Sequence, residues 1–207
     1  MIITKIGYDD KTNLFIIETP KESFQISYED YEKYHLQKDQ EINPDLYDKL
    51  KNIELKNKAY ADAINFLSYR IRTEKEIKDK LNKKYSFEIV SSIIEKLTRE
   101  GLIDDSYFAR VYIESKLNTT NWSVRKVKYQ LGNLGISNDV FEEELSKLDF
   151  STSEIQNAHK LVSKQIEKWK SKYSDTYALR NKIYAYLSSR GFNYDTISAV
   201  MEEFVNE

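Results

Sequence analysis

Val124-Arg125-Lys126-Val127-Lys128-Tyr129-Gln130-Leu131-Gly132-Asn133-Leu134-Gly135 is the stretch that decides the fold of this chain. Val124, Val127, Leu131 and Leu134 recur at a 3-4-3 spacing, which makes one apolar stripe on a helix of 3.6 residues per turn. Gly135 follows where a left-handed residue would end that helix, a conformation in which only glycine avoids the steric cost. Arg125, Lys128 and Tyr129 point away from the stripe. With Leu81 and Leu187 set in register with Leu131, Ile77, Val127 and Ile183 coincide four residues earlier. Tyr85, Gly135 and Gly191 coincide four residues later.

The register extends in both directions. Upstream, Ala63 with Phe66-Leu67, Ala109 with Tyr112-Ile113 and Ala158 with Leu161-Val162 open a first helix. Downstream, Ile89-Val90-Ile93-Ile94-Leu97, Val140-Phe141-Leu145-Leu148 and Ile197-Val200-Met201-Phe204 form a third. From residue 59 on, the chain reads as three units of three helices, each about 50 residues long. Thr73-Glu74-Lys75-Glu76 is a capping box for the middle helix of the first unit. Gly101 ends its third helix, and Asp104-Asp105, Ser137 and Ser153 are caps further on. The leading helix of the third unit is expected to run from Glu154 to about Lys172.

The first 27 residues differ. Ile2-Ile3-Thr4-Lys5-Ile6, Asn13-Leu14-Phe15-Ile16-Ile17-Glu18 and Ser23-Phe24-Gln25-Ile26 are β-branched and aromatic runs parted by turn residues, and they read as a small β-meander. Ser27 caps a short helix expected over Tyr28 to Leu36. Asn43-Pro44 starts another, running toward Arg70. The fold expected is mainly α: three tandem three-helix repeats in an elongated array behind a β-meander and helix. The modules are 1–58, 59–102, 103–150 and 151–207.

The composition narrows function. The 207 residues contain no Cys, two His, five Gly and two Pro. Disulfides, thiolate metal sites and cysteine nucleophiles are thereby excluded, and a His-built zinc site or triad is nearly so. His35 and His159 read as ordinary helix residues. Phosphate loops, nucleophile elbows and acid/base constellations are absent, so no catalytic residue, metal or cofactor is expected. No stretch approaches the length of a membrane span and no signal-peptide plan opens the chain. A cytoplasmic, monomeric binder is expected.

The formal net charge of −2 conceals local concentration. Residues 115–138 hold Lys116, Arg125, Lys126 and Lys128 with no acid, and residues 176–194 hold Arg180, Lys182 and Arg190 with none. Residues 70–84 hold seven basic residues, Arg70, Arg72, Lys75 and Lys78 among them, against three acids. Lys75 and Lys78 share the register of Arg125 and Lys128, so two middle helices present matching cationic faces. Such faces suit a repeating anionic surface. The sixteen Tyr, with Trp122 and Trp169, read mainly as core at this spacing.

Three segments carry a resemblance. Ala63-Ile64-Asn65-Phe66-Leu67-Ser68-Tyr69-Arg70, running into Arg72-Thr73-Glu74-Lys75-Glu76-Ile77 and Leu81, resembles the opening signature of the bacterial RecX family. Leu97 followed by Gly101-Leu102-Ile103-Asp104-Asp105-Ser106-Tyr107-Phe108-Ala109 resembles its second motif. Val127 to Leu131 with Leu134-Gly135-Ile136 is similar to a third, with Leu134 where lysine is usual. The N-terminal β region is similar to that of the longer members from Firmicutes. The resemblance implies a regulator that lies in the groove of the RecA–DNA filament and suppresses its ATPase, coprotease and strand-exchange activities. The near-neutral net charge favours protein over naked DNA as the main partner, with direct DNA contact expected to be weak. It implies a partner surface at Arg70, Arg72, Lys75 and Lys78 and at Arg125, Lys126 and Lys128. Repeat logic adds Arg180, Lys182 and Arg190. Two other readings stay open from the residues alone: a helix-turn-helix DNA-binding protein, and a helical-repeat scaffold for another protein.

Overall fold

In the computed structural model, which describes residues 1–173 and 175–205, three antiparallel strands lead into eleven helices. β1 (Lys5–Asp9), β2 (Leu14–Glu18) and β3 (Ser23–Ile26) pair in the order β1-β2-β3, with Ile6 opposite Ile17 and Ile17 opposite Phe24. Asn13, at φ 55°, turns the first hairpin. The Asp9 carboxylate accepts from the Lys11 amide and the Thr12 hydroxyl there, and these bonds hold its pKa below the usual range. The first strand starts at Lys5 rather than Ile2, so Gly7-Tyr8-Asp9 belongs to it and not to the turn.

Two compact units share the chain. Residues Met1–Ile71 and Ile77–Ile103 form one; Arg72–Glu76 joins the chain from Asp104 onward in the other.

In the first unit, α1 (Tyr28–Lys33) and α2 (Pro44–Leu67) follow the sheet. The Ser27 hydroxyl caps α1 and the Asn43 side chain caps α2. The short helix ends at Lys33, three residues before the expected end, because His35 adopts φ 47° and turns the chain so that Leu36 is buried. His35 is thus a turn residue, not a helical one. Ile3, Ile17, Phe24, Ile26, Leu36, Ile42 and Leu50 make one core. A second is built from Ala59 and Ala63 of α2, Ile77 and Leu81 of α3 (Glu74–Leu81), and Ile93 and Leu97 of α4 (Phe87–Arg99). The alanines let the helices approach closely, and the leucines and isoleucines fill the space.

The second unit holds two further cores. α5 (Asp105–Thr119), α6 (Val124–Asn133) and α7 (Asn138–Ser146) enclose Phe108, Ile113, Val127, Leu131 and Phe141. α8 (Ser151–Ser163), α9 (Ile166–Lys172), α10 (Thr176–Ser188) and α11 (Tyr194–Val205) enclose Val162, Trp169, Ile183, Leu187 and Val200. The leading helix here is not continuous: it breaks between Ser163 and Ile166. Ser153 is not a cap either, lying inside α8 with its hydroxyl on Asn118. Ser137 does cap α7, and Asp104 caps α5. Gly101, Gly135 and Gly191 have φ of +69°, +93° and +87°, the left-handed conformation expected at these helix ends. Among the described residues no helix is long and apolar enough to cross a membrane.

Candidate partner-binding site

α6 turns Val127 and Leu131 inward, both fully buried, which leaves Arg125 and Lys126 exposed on its outer side. Arg125 forms no ion pair among the described residues. Lys126 places Nζ 4.3 Å over the Trp122 ring, and Lys116 of α5 stands 5.5 Å from the same ring. Trp122 therefore has two cations near its ring, contacts worth roughly 0.5–1 kcal/mol each at exposed sites. Lys128 is committed elsewhere: its ammonium is 2.7 Å from the Glu142 carboxylate.

Two like junctions lie within the second unit. In one, the buried Thr73 hydroxyl donates to the Leu134 carbonyl at 2.8 Å, and the Asp105 carboxylate accepts the Glu74 amide at 2.9 Å. In the other, the buried Ser123 hydroxyl donates to the Arg190 carbonyl at 2.8 Å, and the Glu154 carboxylate accepts the Val124 amide at 3.0 Å. Each hydroxyl also caps its own helix. Thr73 and Glu76 make the reciprocal capping box, and Ser123 accepts from the Lys126 amide.

These junctions engage several of the expected site residues. Lys75 donates to the Asn133 carbonyl at 2.9 Å, and Arg72 lies 3.5 Å from Glu76 with little of either side chain exposed. Arg190 lies 3.7 Å from the centre of the Tyr186 ring and donates to the Tyr186 carbonyl. The Arg125 side chain stands beside Gly191, so Arg125 and Arg190 come together at one junction. Lys182 is half-buried near Trp169, and Arg180 is exposed without an ion pair among the described residues. Arg70 and Lys78 belong to the first unit. Arg70 donates to the Ile71 carbonyl, and Lys78 is half-buried on α3.

The acids of the third helices are partly structural. Glu144 is 1% exposed and bound by Arg110 at 2.9 Å and Lys147 at 2.7 Å. The Lys147 hydrogen bond holds its carboxyl below the usual range. Glu154 goes the other way: burial pushes its pKa up, against the bonds from Val124 and Thr196. No group of three His, Asp or Glu that could hold a metal occurs among the described residues. Lys116 stands in the acid-free window 115–138 but outside the register that picked the middle helices, and Trp122 reads as core from its spacing. Their pairing with Lys126 emerges only in the structure.

Comparison with known proteins places this architecture. The family model for the first three-helix domain of RecX matches residues 59–97, and that for the third matches residues 152–201. The regulatory protein RecX of Finegoldia magna is 41% identical over 202 residues, covering 97% of this chain and 98% of the relative. The chain belongs to the RecX family. Regulatory protein RecX of Clostridioides difficile is 31% identical over 209 residues, 99% of this chain and 96% of that one. A crystal structure of a regulatory protein RecX shares the fold with a TM-score of 0.81 at 24% identity, covering 100% of this chain and 99% of its own. RecX from Lactobacillus salivarius superimposes on 74% of this chain and 98% of its own, with a TM-score of 0.65 and 30% identity. The mainly helical RecX fold and a regulatory role follow from these matches.

Proposed function

We propose that this chain binds the filament of RecA on single-stranded DNA and inhibits the ATPase, recombinase and coprotease activities of RecA. In this reading it is a non-enzymatic, monomeric, cytoplasmic regulator of DNA repair, recombination and the SOS response. The observation that carries the reading is the match, across nearly the whole of both chains, to a protein named as a regulatory RecX. RecA as the partner comes from the family resemblance. The reading divides the chain into modules 1–58, 59–102, 103–150 and 151–207, with residues 174, 206 and 207 of the last outside the described ones.

Arg72, Lys75, Lys128 and Arg190 are held by internal contacts. Arg125, Lys126 and Arg180 are exposed and form no ion pair among the described residues, so they support the partner face best, with Lys116 and Trp122 beside Lys126. Charges at such a rim chiefly set association rate and salt dependence. A helix-turn-helix reading would send a third helix into a DNA groove. Glu142, Glu143 and Glu144 on α7 weigh against it.

The test is the rate of ATP hydrolysis by RecA from the same organism on single-stranded DNA, with this protein titrated in. Substoichiometric inhibition is expected. The Arg125→Glu/Lys126→Glu/Arg180→Glu variant should need at least tenfold more protein for half-inhibition. No inhibition at several-fold excess would overturn the function, and undiminished inhibition by the variant would overturn the face.

A further inference from the structure

α1, α2 and α4 of the first unit border an open cleft of about 400 Å³. Ile53 and Ile93 contribute apolar surface to it. Lys33 comes from α1, Lys49 and Lys56 from α2, and Lys96 and Arg99 from α4; Asp30 is the one carboxylate among the lining residues. That carboxylate is already engaged, accepting from the Ser27 hydroxyl at 2.9 Å.

The opposite side of α2 shows what a neutralised cluster looks like. Lys51 and Lys58 close on the buried Glu54 at 3.1 and 2.7 Å, and Lys51 also reaches Glu22 at 2.8 Å. Lys33, Lys56 and Arg99 on the cleft side form no ion pair among the described residues. Lys49 has only the exposed Asp45 at 3.7 Å, and Lys96 only Glu100 at 3.9 Å. Gathering five cations around few and distant counter-charges costs self-repulsion and focuses a positive potential into the cleft. An anion bound there relieves it.

The anion is extended and carries flat rings. Lys49, Ile53, Lys56 and Tyr60 follow a 4-3-4 spacing along one side of α2, a line of roughly 16 Å at 1.5 Å per residue. That is too long for one free phosphate. Tyr34 and Tyr60 also line the cleft, interleaved with the cations: Lys33 lies 5.6 Å from the Tyr34 ring centre and Lys96 4.0 Å from that of Tyr60. The Tyr60 hydroxyl donates to Glu100 at 2.7 Å. That bond pushes its pKa up to about 12. A cationic track with aromatic rings set into it is the combination that holds single strands without sequence preference. An acidic peptide would match the charge but leave the rings unused.

We propose that this cleft binds the phosphodiester backbone of single-stranded nucleic acid, with cations of three helices on successive phosphates and the two tyrosines against bases. The proposal rests on the proposed function only for the strand's origin, the DNA of the filament.

Fluorescence anisotropy of a labelled oligothymidylate with the full chain, across a salt series, tests it. Lys56→Glu/Arg99→Glu alters two residues with no ion pair to lose. It is expected to weaken binding at least tenfold and to lower the salt slope by about 1.4, from roughly 0.7 for each lost phosphate contact. A matching circular-dichroism melt checks its folding, and Lys56→Gln/Arg99→Gln replaces it if charge reversal unfolds the chain. Absence of binding by the unaltered protein, or unchanged affinity and slope in the variant, would overturn the proposal. So would displacement of the strand by polyglutamate as readily as by unlabelled oligonucleotide, which would make the cleft a peptide dock. Binding of pyrophosphate that the variant loses, with the oligonucleotide unaffected, would make it a free-phosphate site and also overturn it. RecA ATPase assays on the same preparations report separately: no inhibition by the unaltered protein, with strand binding still lost in the variant, would sink the function and keep the cleft.

Discussion

Around Gly135 the Thr73 hydroxyl meets the Leu134 carbonyl, and around Gly191 the Ser123 hydroxyl meets the Arg190 carbonyl, at the same distance of 2.8 Å. The surroundings differ. A Cβ on Gly135 would stand 2.6 Å from the Lys75 Cβ, an atom fixed to the backbone. On Gly191 it would meet the Ser123 hydroxyl oxygen at 3.0 Å and the Arg125 Cβ at 3.3 Å. The acids differ too. Asp105 is half-buried, whereas Glu154 is 4% exposed. One junction is limited by steric fit, and the other carries a buried titratable group.

That contrast can be broken at its strongest point first. Gly135→Ala forces a side chain into a left-handed residue and against Lys75. It should cost about 3 kcal/mol, the sum of the left-handed penalty and overpacking. Gly191→Ala should cost about 1 kcal/mol less, because its nearest contacts, at 3.0 and 3.3 Å, need a smaller shift than the 2.6 Å approach at Gly135. Urea unfolding of both variants, followed by circular dichroism, checks the order; equal losses would erase the steric distinction.

Ser123→Ala removes a helix cap and leaves the Arg190 carbonyl without its donor, for a loss of roughly 1–2 kcal/mol. Thr73→Ala should match it if the two hydroxyls do equivalent work, read from the same unfolding curves.

The smallest effect concerns Glu154. Its folded pKa is raised above the ordinary 4.5 by burial. The native state therefore binds the proton more tightly than the unfolded chain does. The stability this confers is complete below the ordinary value and is lost as pH rises through the folded one. Glu154→Gln keeps an oxygen for the Val124 amide but never ionises. It should melt higher than the parent at pH 7, and the gain should vanish as the pH falls below 4.5. A pH-independent difference in melting temperature would remove the titration from the junction.

The glycine positions and most caps were legible because each is a local demand: a left-handed φ wants glycine, and a first turn wants a hydroxyl or carboxylate. The break in the leading helix of the last module was not. Val162, Ile166 and Trp169 keep a 4-3 spacing straight across Ser163–Gln165 and all face one core, so the periodicity is blind to the interruption. Leu36 is a second case: its apolar spacing continues that of α1, but a left-handed turn at His35 delivers it to the core. Of the basic residues singled out, sequence located the exposed Arg125, Lys126 and Arg180. It could not foresee that Lys75 and Lys128 spend their charge on a carbonyl and a carboxylate within the fold. The cations of the cleft escaped notice because they come from three elements, each rich in neighbouring acids.

The register that aligns Leu81, Leu131 and Leu187 also locates the groups that make the two junctions of the second unit. A junction needs a hydroxyl eight residues before the register leucine on one side and a left-handed glycine four residues after it on the other. The middle module has both, Ser123 and Gly135. The first has the hydroxyl, Thr73, but Tyr85 in place of the glycine, its phenol turned to Asp62. The last has the glycine, Gly191, but Leu179 in place of the hydroxyl, buried in its own core. The stretch around Leu131 thus serves both junctions, giving the Ser123 hydroxyl to one and Gly135 to the other, while Tyr85 and Leu179 occupy the two remaining register positions with side chains turned to their own cores.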